Sequence, residues 1–219
     1  YQRSRRSNSS GLAGFFRLPP ASPELFDRRD RWYRPVSGVQ ACQQPDVLAA
    51  LAQFPDRWSH EQVAANYDYY VPRCLCYSSL SHPIHALVAA DLGRLDAAYH
   101  HFITTVGMDL DESLTDRRDT HAGLHGTAAA GAWHAAVRGF GGARLTEAGL
   151  SVVPRLPAKW TRLEFTWRLR GAAVRFRMTP DSVHVQVDGS RKWVIPARIG
   201  GRSLELRGGQ ALEMSTQGT

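Results

Sequence analysis

The segment SSLSHPIHALVAADLG, residues 78–93, joins a run of serine hydroxyls to the start of an apolar helix. A helix N-terminus presents free N–H groups and the positive end of the helix dipole, so it favours an anion such as phosphate. Ser78 and Ser79 would add neutral donors beside it. The same segment also fits a structural interpretation, in which Ser81 caps the helix and Gly93 ends it. Taken alone, the segment does not decide between two interpretations, an ordinary helix start and an anion-binding site.

Two further positions carry side chains that could bind a ligand. His125 lies in AGLHGTAAAG, where the neighbouring glycines Gly123 and Gly126 allow a backbone or a ligand to approach closely. It is either a satisfied structural histidine or a donor to phosphate. Gln43 and Gln44 precede the first predicted helix, and Gln44 is either a donor to sugar hydroxyls or a solvated loop residue.

The other clusters of chemically capable residues give weaker signals. The cysteines Cys42, Cys74 and Cys76 are odd in number, and Cys74 and Cys76 are separated by one residue rather than the two of zinc knuckles. We therefore expect reduced, partly buried thiols, no metal site and no cofactor. The acidic run DLDESLTD, residues 109–116, is interpreted as a solvated loop rather than as paired catalytic carboxylates.

The net charge of +7 comes almost entirely from arginine and is concentrated at the two ends of the chain. Basic ends are compatible with nucleic-acid binding. The C-terminal arginines alternate with apolar residues, however, as on the solvent face of a sheet, so we expect no nucleic-acid partner. No apolar run is long enough to span a membrane, and the start of the chain lacks the apolar core of a signal peptide. A cytoplasmic location is expected, although a chain that begins at Tyr1 leaves room for an upstream segment.

The periodicity of apolar residues divides the chain into an irregular start, a helical part and a β part. Prolines make residues 1–38 mostly loop. Five segments between residues 45 and 145 have helical spacing or helix-capping residues. After residue 146 the period changes to two, which predicts five strands and a small antiparallel β domain. The predicted fold class is therefore α then β, segregated, with domains at 1–145 and 146–219.

The order of these segments resembles glycoside hydrolase family 65, which contains inverting phosphorylases of α-glucosides and related hydrolases. The resemblance rests on six stretches of the sequence. They are GLAGFFRL, similar to the family's segment around G-F-F; QQPDVLAAL, similar to K-Q-A-D-V-L; YYVPRCLCYSSLSHPIHALVAADLG, similar to Y-Y-x-P-R-T-x-H-x-S-S-L-S; TVGMDLDE, similar to the helix that leads to D-L-D-D; AGLHGTAAAGAWHAAVRGFGG, similar to D-G-I-H-x-A-x-x-G-G-x-W; and LSVVPRLPAKW, similar to L-x-x-x-P-x-L-P-x-x-W.

This resemblance implies that residues 1–145 form the C-terminal helices of an (α/α)6 catalytic barrel, followed by a β-sandwich-like domain. It implies that Ser78, Ser79 and His125 bind phosphate and that the pair Gln43 and Gln44 contacts glucose. The family's general acid is a glutamate upstream of the matched region, so no catalytic residue is expected in this chain. The expected partners are an α-linked glucose disaccharide and inorganic phosphate as co-substrate, with a possible homodimer of the full-length protein.

Three functions follow from the resemblance. The first is a fragment of an inverting phosphorylase that forms β-glucose 1-phosphate and glucose and is inactive alone. The second is a fragment of a trehalase-like hydrolase of the same family. The third is a non-enzymatic remnant that binds sugar or phosphate, because Gln43, Cys76 and Ala122 replace the family's lysine, histidine and aspartate.

Overall fold

The computed structural model describes residues 40–76, 78–111 and 124–216. The predicted N-terminal loop, residues 1–38, and Ala122 lie outside the described residues. Helices occupy the first part and strands the last, which confirms the segregated α-then-β fold class. None of the helices in the described ranges has both the length and the apolar character that crossing a membrane requires.

All five predicted helical segments form helices. They are α1 (Asp46–Gln53), α2 (His60–Tyr70), α3 (Ser81–Asp91), α4 (Leu95–Gly107) and α5 (Gly126–His134). Short 3₁₀ turns follow α1 and α2 at Pro55–Arg57 and Val71–Arg73, and α5 continues directly into a π-helical segment, Ala135–Phe140. The buried faces of these helices share one apolar core, whose largest fully buried members include Leu48, Val88 and Phe140.

Local hydrogen bonds explain where α2 begins and where α3 ends. Ser59 caps α2 in a capping box, in which Gln62 N–H donates to the serine hydroxyl and the Gln62 side chain accepts from Ser59 N–H. At the end of α3, the N–H groups of Gly93 and Arg94 donate to the carbonyls of Ala90 and Ala89. This is a Schellman motif, and it needs the left-handed backbone that Gly93 supplies at φ +72°.

The predicted capping role of Ser81 is wrong. The residue before α3 is Leu80, and Ser81 is the first helical residue. Its N–H donates to the carbonyl of Ser78 at 3.0 Å, so the turn that contains the serines runs into the helix without a separate cap. The Ser81 side chain is fully buried, and its hydroxyl has no hydrogen-bond partner among the described residues.

Within the described residues, eight strands form two four-stranded sheets that share one core. The strands are β1 (Ala143–Thr146), β2 (Gly149–Val152), β3 (Leu163–Leu169), β4 (Ala172–Met178), β5 (Ser182–Asp188), β6 (Val194–Ile199), β7 (Arg202–Arg207) and β8 (Ala211–Ser215). Their orders are β1-β2-β6-β7 and β3-β4-β5-β8. Every pair is antiparallel except β2 with β6. The inner faces of both sheets meet in one apolar cluster, as in a β-sandwich.

The sequence analysis found β3 to β7 and missed β1, β2 and β8. The missed strands are only four or five residues long, and β1 and β2 mix polar and apolar residues around a turn at Glu147 and Ala148. The strands begin at Ala143, while the domain boundary between residues 145 and 146 stays a prediction.

The contacts between the sandwich and the helices include Val137 of the π-helical segment, which joins the sandwich core, as well as one aromatic side chain and one carboxylate. Trp160, in the loop after β2, packs edge-on against Phe140 and Phe102, with ring centroids 4.9 and 5.3 Å away. Asp91, at the end of α3, forms ion pairs with Arg144 of β1 and with Arg155, the latter at 3.9 Å. The two parts are therefore packed against each other as well as joined by the chain.

Candidate functional site

The candidate ligand residues all precede the N-terminus of a helix. Gln43 and Gln44 precede α1, Ser78 and Ser79 precede α3, and His125 is the residue before α5. Since each helix N-terminus carries a partial positive charge and unpaired N–H groups, the question is whether these three ends meet.

A backbone bridge joins the segment before α1 to the segment before α3. Cys42 N–H donates to the carbonyl of Arg73 at 2.9 Å, and Leu75 N–H donates to the carbonyl of Cys42 at 2.8 Å. These bonds make Cys42 and Cys74 an isolated parallel bridge. The glutamine pair is thereby held beside the chain that leads to the serines.

A side-chain hydrogen bond joins the segment before α3 to the first turn of α5. Ser79 Oγ lies 2.7 Å from Thr127 Oγ1. Gly131 permits this approach, because a Cβ atom at this position would lie only 2.4 Å from Cβ of Pro83 in α3. The N-termini of α3 and α5 therefore meet, and two hydroxyls lie between them.

Asp109, at the end of α4, orients the imidazole of His125. One carboxylate oxygen accepts the backbone N–H of His125 at 2.6 Å, and the other lies 2.5 Å from its Nδ1. Asp109 adopts a left-handed backbone with φ +70°, which is uncommon for a residue other than glycine and is often found where function fixes the conformation. Because Nδ1 faces the carboxylate, Nε2 is the nitrogen left to face a ligand.

The two serines differ in their contacts. Ser78 Oγ accepts the N–H of Leu80 at 3.2 Å, so this hydroxyl helps to form the turn before α3. Ser79 contacts the other helix through Thr127. Both serines and His125 are half-buried, which leaves part of each side chain accessible. The structure thus places Ser79 near the helix that His125 precedes, as a phosphate site would require.

The glutamines show less sign of a binding role. Gln43 is exposed and Gln44 is half-buried. The backbone carbonyl of Gln43 lies 3.9 Å from Sγ of Cys74. Within the described ranges, no hydrogen bond joins either glutamine side chain to the serines or to His125, so their contact with glucose stays a prediction.

Cys76 faces an imidazole. Its backbone is left-handed, with φ +52°, and its Sγ lies 3.8 Å from Nδ1 of His85. His85 packs against His101, whose Nδ1 lies 3.0 Å from Nδ1 of His82. Burial lowers the pKa of His82 to about 4 and that of His101 to about 3, so both rings are neutral at pH 7.

Sequence reasoning missed Asp109 and Thr127. Asp109 opens the acidic run that was interpreted as a solvated loop, yet its side chain is largely buried against His125. Thr127 follows His125 by two residues, within the same first turn. The sequence contained one indication that Asp109 could contact His125. The acidic run that Asp109 opens directly follows a predicted helix and precedes the segment that contains His125.

The arrangement can bind an anion without a metal. Hydroxyls at two helix N-termini and an oriented imidazole are neutral or cationic donors, and the helix dipoles add to their effect. These groups define a class of site that suits phosphate. The site lies on the helical part of the chain, which packs against a β-sandwich.

Comparisons with known proteins place this sequence and fold in one family. The central catalytic domain of glycosyl hydrolase family 65 matches residues 25–134, and the C-terminal domain of that family matches residues 143–206. A solved structure of a protein assigned as a kojibiose phosphorylase, from the human microbiome, superposes with a TM-score of 0.80 at 29% identity, over 92% of this chain and 28% of that one. The chain belongs to glycosyl hydrolase family 65.

Curated relatives include phosphorylases. Kojibiose phosphorylase of Halothermothrix orenii is 34% identical over 180 residues, which are 81% of this chain and 23% of that enzyme. An α,α-trehalose phosphorylase of Thermoanaerobacter brockii is 36% identical over 151 residues, which are 69% of this chain and 19% of that enzyme. The chain spans about a quarter of the length of these relatives or less.

Proposed function

We propose that this chain is part of an inverting α-glucoside phosphorylase and supplies its phosphate site. The proposed phosphate ligands are Ser78, Ser79 and His125, and the proposed substrates are an α-linked glucose disaccharide and inorganic phosphate. The observation that carries the proposal is the hydrogen bond between Ser79 and Thr127, because it holds hydroxyls at the N-termini of two helices. The phosphorylase relatives support the same chemistry.

The chemistry of inversion explains why an anion site favours phosphorolysis. An acid protonates the leaving oxygen while a nucleophile attacks the opposite face of the sugar ring. A hydrolase needs a base to activate water, whereas phosphate is already a nucleophile. A phosphate oxygen would bond to the anomeric carbon as the glycosidic C–O bond breaks, and the proton of the acid would remain on the released glucose. The products would be β-glucose 1-phosphate and glucose.

Within the site, His125 and Asp109 would act as a unit. As the doubly protonated imidazolium, His125 would donate Nδ1–H to Asp109 and Nε2–H to a phosphate oxygen, and Asp109 would hold the ring in the orientation that allows this. Asp109 is thus proposed as a positioning residue. The resemblance to the family assigns the general acid to a glutamate N-terminal to the matched region, so we expect this chain alone to release no glucose 1-phosphate from maltose, trehalose or kojibiose.

A chimeric enzyme provides the decisive test. The chain replaces the matching region of the Halothermothrix orenii kojibiose phosphorylase, and products are measured from kojibiose with and without phosphate. Glucose 1-phosphate that depends on phosphate supports the proposal. Free glucose without glucose 1-phosphate, at a rate independent of phosphate, would instead identify a hydrolase.

Variants of an active chimera test the ligand assignment. Ser79→Ala and His125→Gln should each raise the KM for phosphate at least about tenfold, the effect of losing about 1.4 kcal/mol of binding. The KM for kojibiose should change much less. Ser203→Ala removes an exposed hydroxyl on β7 and serves as the control. An unchanged KM for phosphate in both site variants would contradict the assignment.

A remnant that only binds ligand is the second candidate, and the replaced positions favour it. Cys76 faces His85, and Gln43 is exposed. If the chimera is inactive, the combined changes Gln43→Lys, Cys76→His and Ala122→Asp distinguish the two candidates. Recovery of phosphorolysis would show that these three positions had disabled an otherwise competent site. Continued inactivity in a folded chimera would favour the remnant.

A further inference from the structure

Cys74 and Cys76 come together with His85, and a backbone bridge brings Cys42 beside them. Cys42 precedes α1, Cys74 and Cys76 precede α3, and His85 lies within α3. The parallel bridge between Cys42 and Cys74 brings the first of these segments to the second. In this structure the Cys42 thiol donates to the carbonyl of Arg73 at 3.6 Å, and the Cys74 thiol donates to the carbonyl of Gln43 at 3.9 Å.

The distances in this cluster approach those of a metal centre. The sulfur atoms of Cys74 and Cys76 and a ring nitrogen of His85 all lie within 4.8 Å of one another. Cys76 Sγ and His85 Nδ1 are 3.8 Å apart. Tetrahedral zinc, with Zn–S bonds of about 2.3 Å and Zn–N bonds of about 2.0 Å, places neighbouring sulfur and nitrogen ligands about 3.6 Å apart. A contraction of a few tenths of an ångström at this pair would reach that geometry.

Burial makes the cluster unusual for ordinary free thiols. Cys74 and His85 are buried, and Nε2 of His85 has no hydrogen-bond partner within the described residues. Nδ1 of the same ring faces only the weakly polar sulfur of Cys76. A cation held at Nδ1 by the nearby thiolates would replace this weak contact of the buried imidazole with a strong one.

The left-handed backbone of Cys76 contributes to the arrangement. At φ +52°, this residue adopts a conformation that is unfavourable for any side chain other than glycine. The chain turns there between the bridge at Cys74 and the serines before α3. The Cys76 thiol is thereby kept next to His85.

We propose that Cys74, Cys76 and His85 bind a zinc ion, and that Cys42, held beside Cys74 by the backbone bridge, moves its thiol from the carbonyl of Arg73 to the metal and completes a Cys₃His site. Three thiolates and one neutral imidazole are a ligand set that structural zinc sites use. The site would fasten the segment before α1 to α3, beside the serines, and it stands independently of the proposed phosphorylase function. The proposal departs from the expectation of no metal, which rested on the odd number of cysteines and on the spacing of Cys74 and Cys76.

Metal binding by the reduced 219-residue chain tests the proposal directly. Zinc is added against a competing chelator, and bound metal and free thiols are then counted on the folded chain. We expect one zinc ion per chain, protection of all three cysteines from a thiol reagent, and a higher melting temperature. Cobalt(II) should give the intense visible absorption of a tetrahedral thiolate complex. Zinc at a surface site would leave the thiols reactive, and that result would overturn the proposal.

Matched variants separate this site from other metal-binding residues. Cys76→Ser and His85→Asn should weaken zinc binding by more than about 100-fold, beyond the 10- to 100-fold loss that follows removal of an outer-shell partner. His100→Gln removes an exposed imidazole from α4 and should leave the affinity unchanged. Because His85→Asn risks misfolding, the half-buried Cys76→Ser variant carries the decision, with the cobalt spectrum as its second readout. Unchanged affinity in Cys76→Ser, or a Cys42–Cys74 disulfide that forms on air oxidation despite added zinc, would overturn the proposal.

Discussion

The β-sandwich closes its own core, whereas the helical part leaves apolar side chains on its surface. In the sandwich, both sheets direct their alternate residues into a single cluster. Of the eleven large apolar side chains that are exposed in the described residues, eight precede β1, including Leu110, Leu124 and Trp133. Leu124 is 89% exposed and Leu110 80%. Five helices of this size bury one face each, and the difference indicates that the helical part requires a further surface to cover it.

The largest expected effect is on the sandwich core. Phe176 is buried and stacks on Phe165 at a centroid distance of 5.0 Å. Phe176→Ala should reduce the free energy of unfolding by about 3–5 kcal/mol, through lost burial and the cavity left behind. Thermal or denaturant unfolding measures this loss. Phe54→Ala is the matched control, because Phe54 is half exposed in the helical part and its loss should cost less than about 0.5 kcal/mol.

The contact between the two parts should be the next most sensitive. Trp160→Ala removes the ring that packs between Phe102 and Phe140, and we expect a loss of about 3 kcal/mol. If the sandwich is the independently stable part, this variant should also split one unfolding transition into two in calorimetry. Trp58→Ala removes an exposed tryptophan and should leave the transition unchanged. A single unshifted transition in Trp160→Ala would show that the two parts do not support each other.

A smaller effect is expected where α3 and α5 approach each other. Gly131→Ala places a methyl group 2.4 Å from Cβ of Pro83 and should cost about 1–3 kcal/mol as the helices separate. The same separation should break the contact between Ser79 and Thr127. Gly126→Ala, at the start of α5, meets nothing within 4 Å and should be neutral or slightly stabilising. Equal stability of the two variants by denaturant unfolding would contradict the close packing.

Substitutions on the exposed surface of the helical part should have the smallest effect on stability. They should, however, clearly reduce the association of the chain with itself. Replacing Leu124 and Trp133 together with Gln should change the free energy of unfolding by less than about 0.5 kcal/mol per residue. It should reduce the self-association that we expect of the isolated chain, as measured by light scattering. Leu145→Gln, on β1 and also exposed, should not reduce it. A monodisperse, monomeric unmodified chain would contradict the comparison between the two parts.

The elements that sequence periodicity predicts best are those with one clearly apolar face. The alternation along β3 and β4 and the capping box of α2 depend on neighbours in sequence, so both could be identified in advance. The hairpin of β1 and β2 is short and is stabilised by the parallel pairing of β2 with β6, which no local pattern reveals. Ser81 shows the same limit, since the turn begun at Ser78 decides where α3 starts.

The candidate site likewise contains residues that the sequence indicates and residues that only the contacts between elements reveal. Ser79 and His125 were identified from local composition and from the family resemblance, and the structure places them at helix ends that meet. Asp109 and Thr127 act through contacts between elements, and such contacts have no sequence period. The cluster of cysteines with His85 depends on the bridge at Cys42, which connects segments on either side of α1 and α2.

The helix that starts after His125 has a mechanical consequence for the site. It continues from α5 through the π-helical segment and reaches β1 after only Gly141 and Gly142. No flexible linker separates the imidazole from the first strand, so the sandwich sets both the height and the rotation of His125 about the helix axis. The α-helix turns by about 100° per residue. One residue inserted into the α-helical stretch Gly126–His134 would therefore turn His125 by about 100° relative to the sandwich, without altering any side chain at the site.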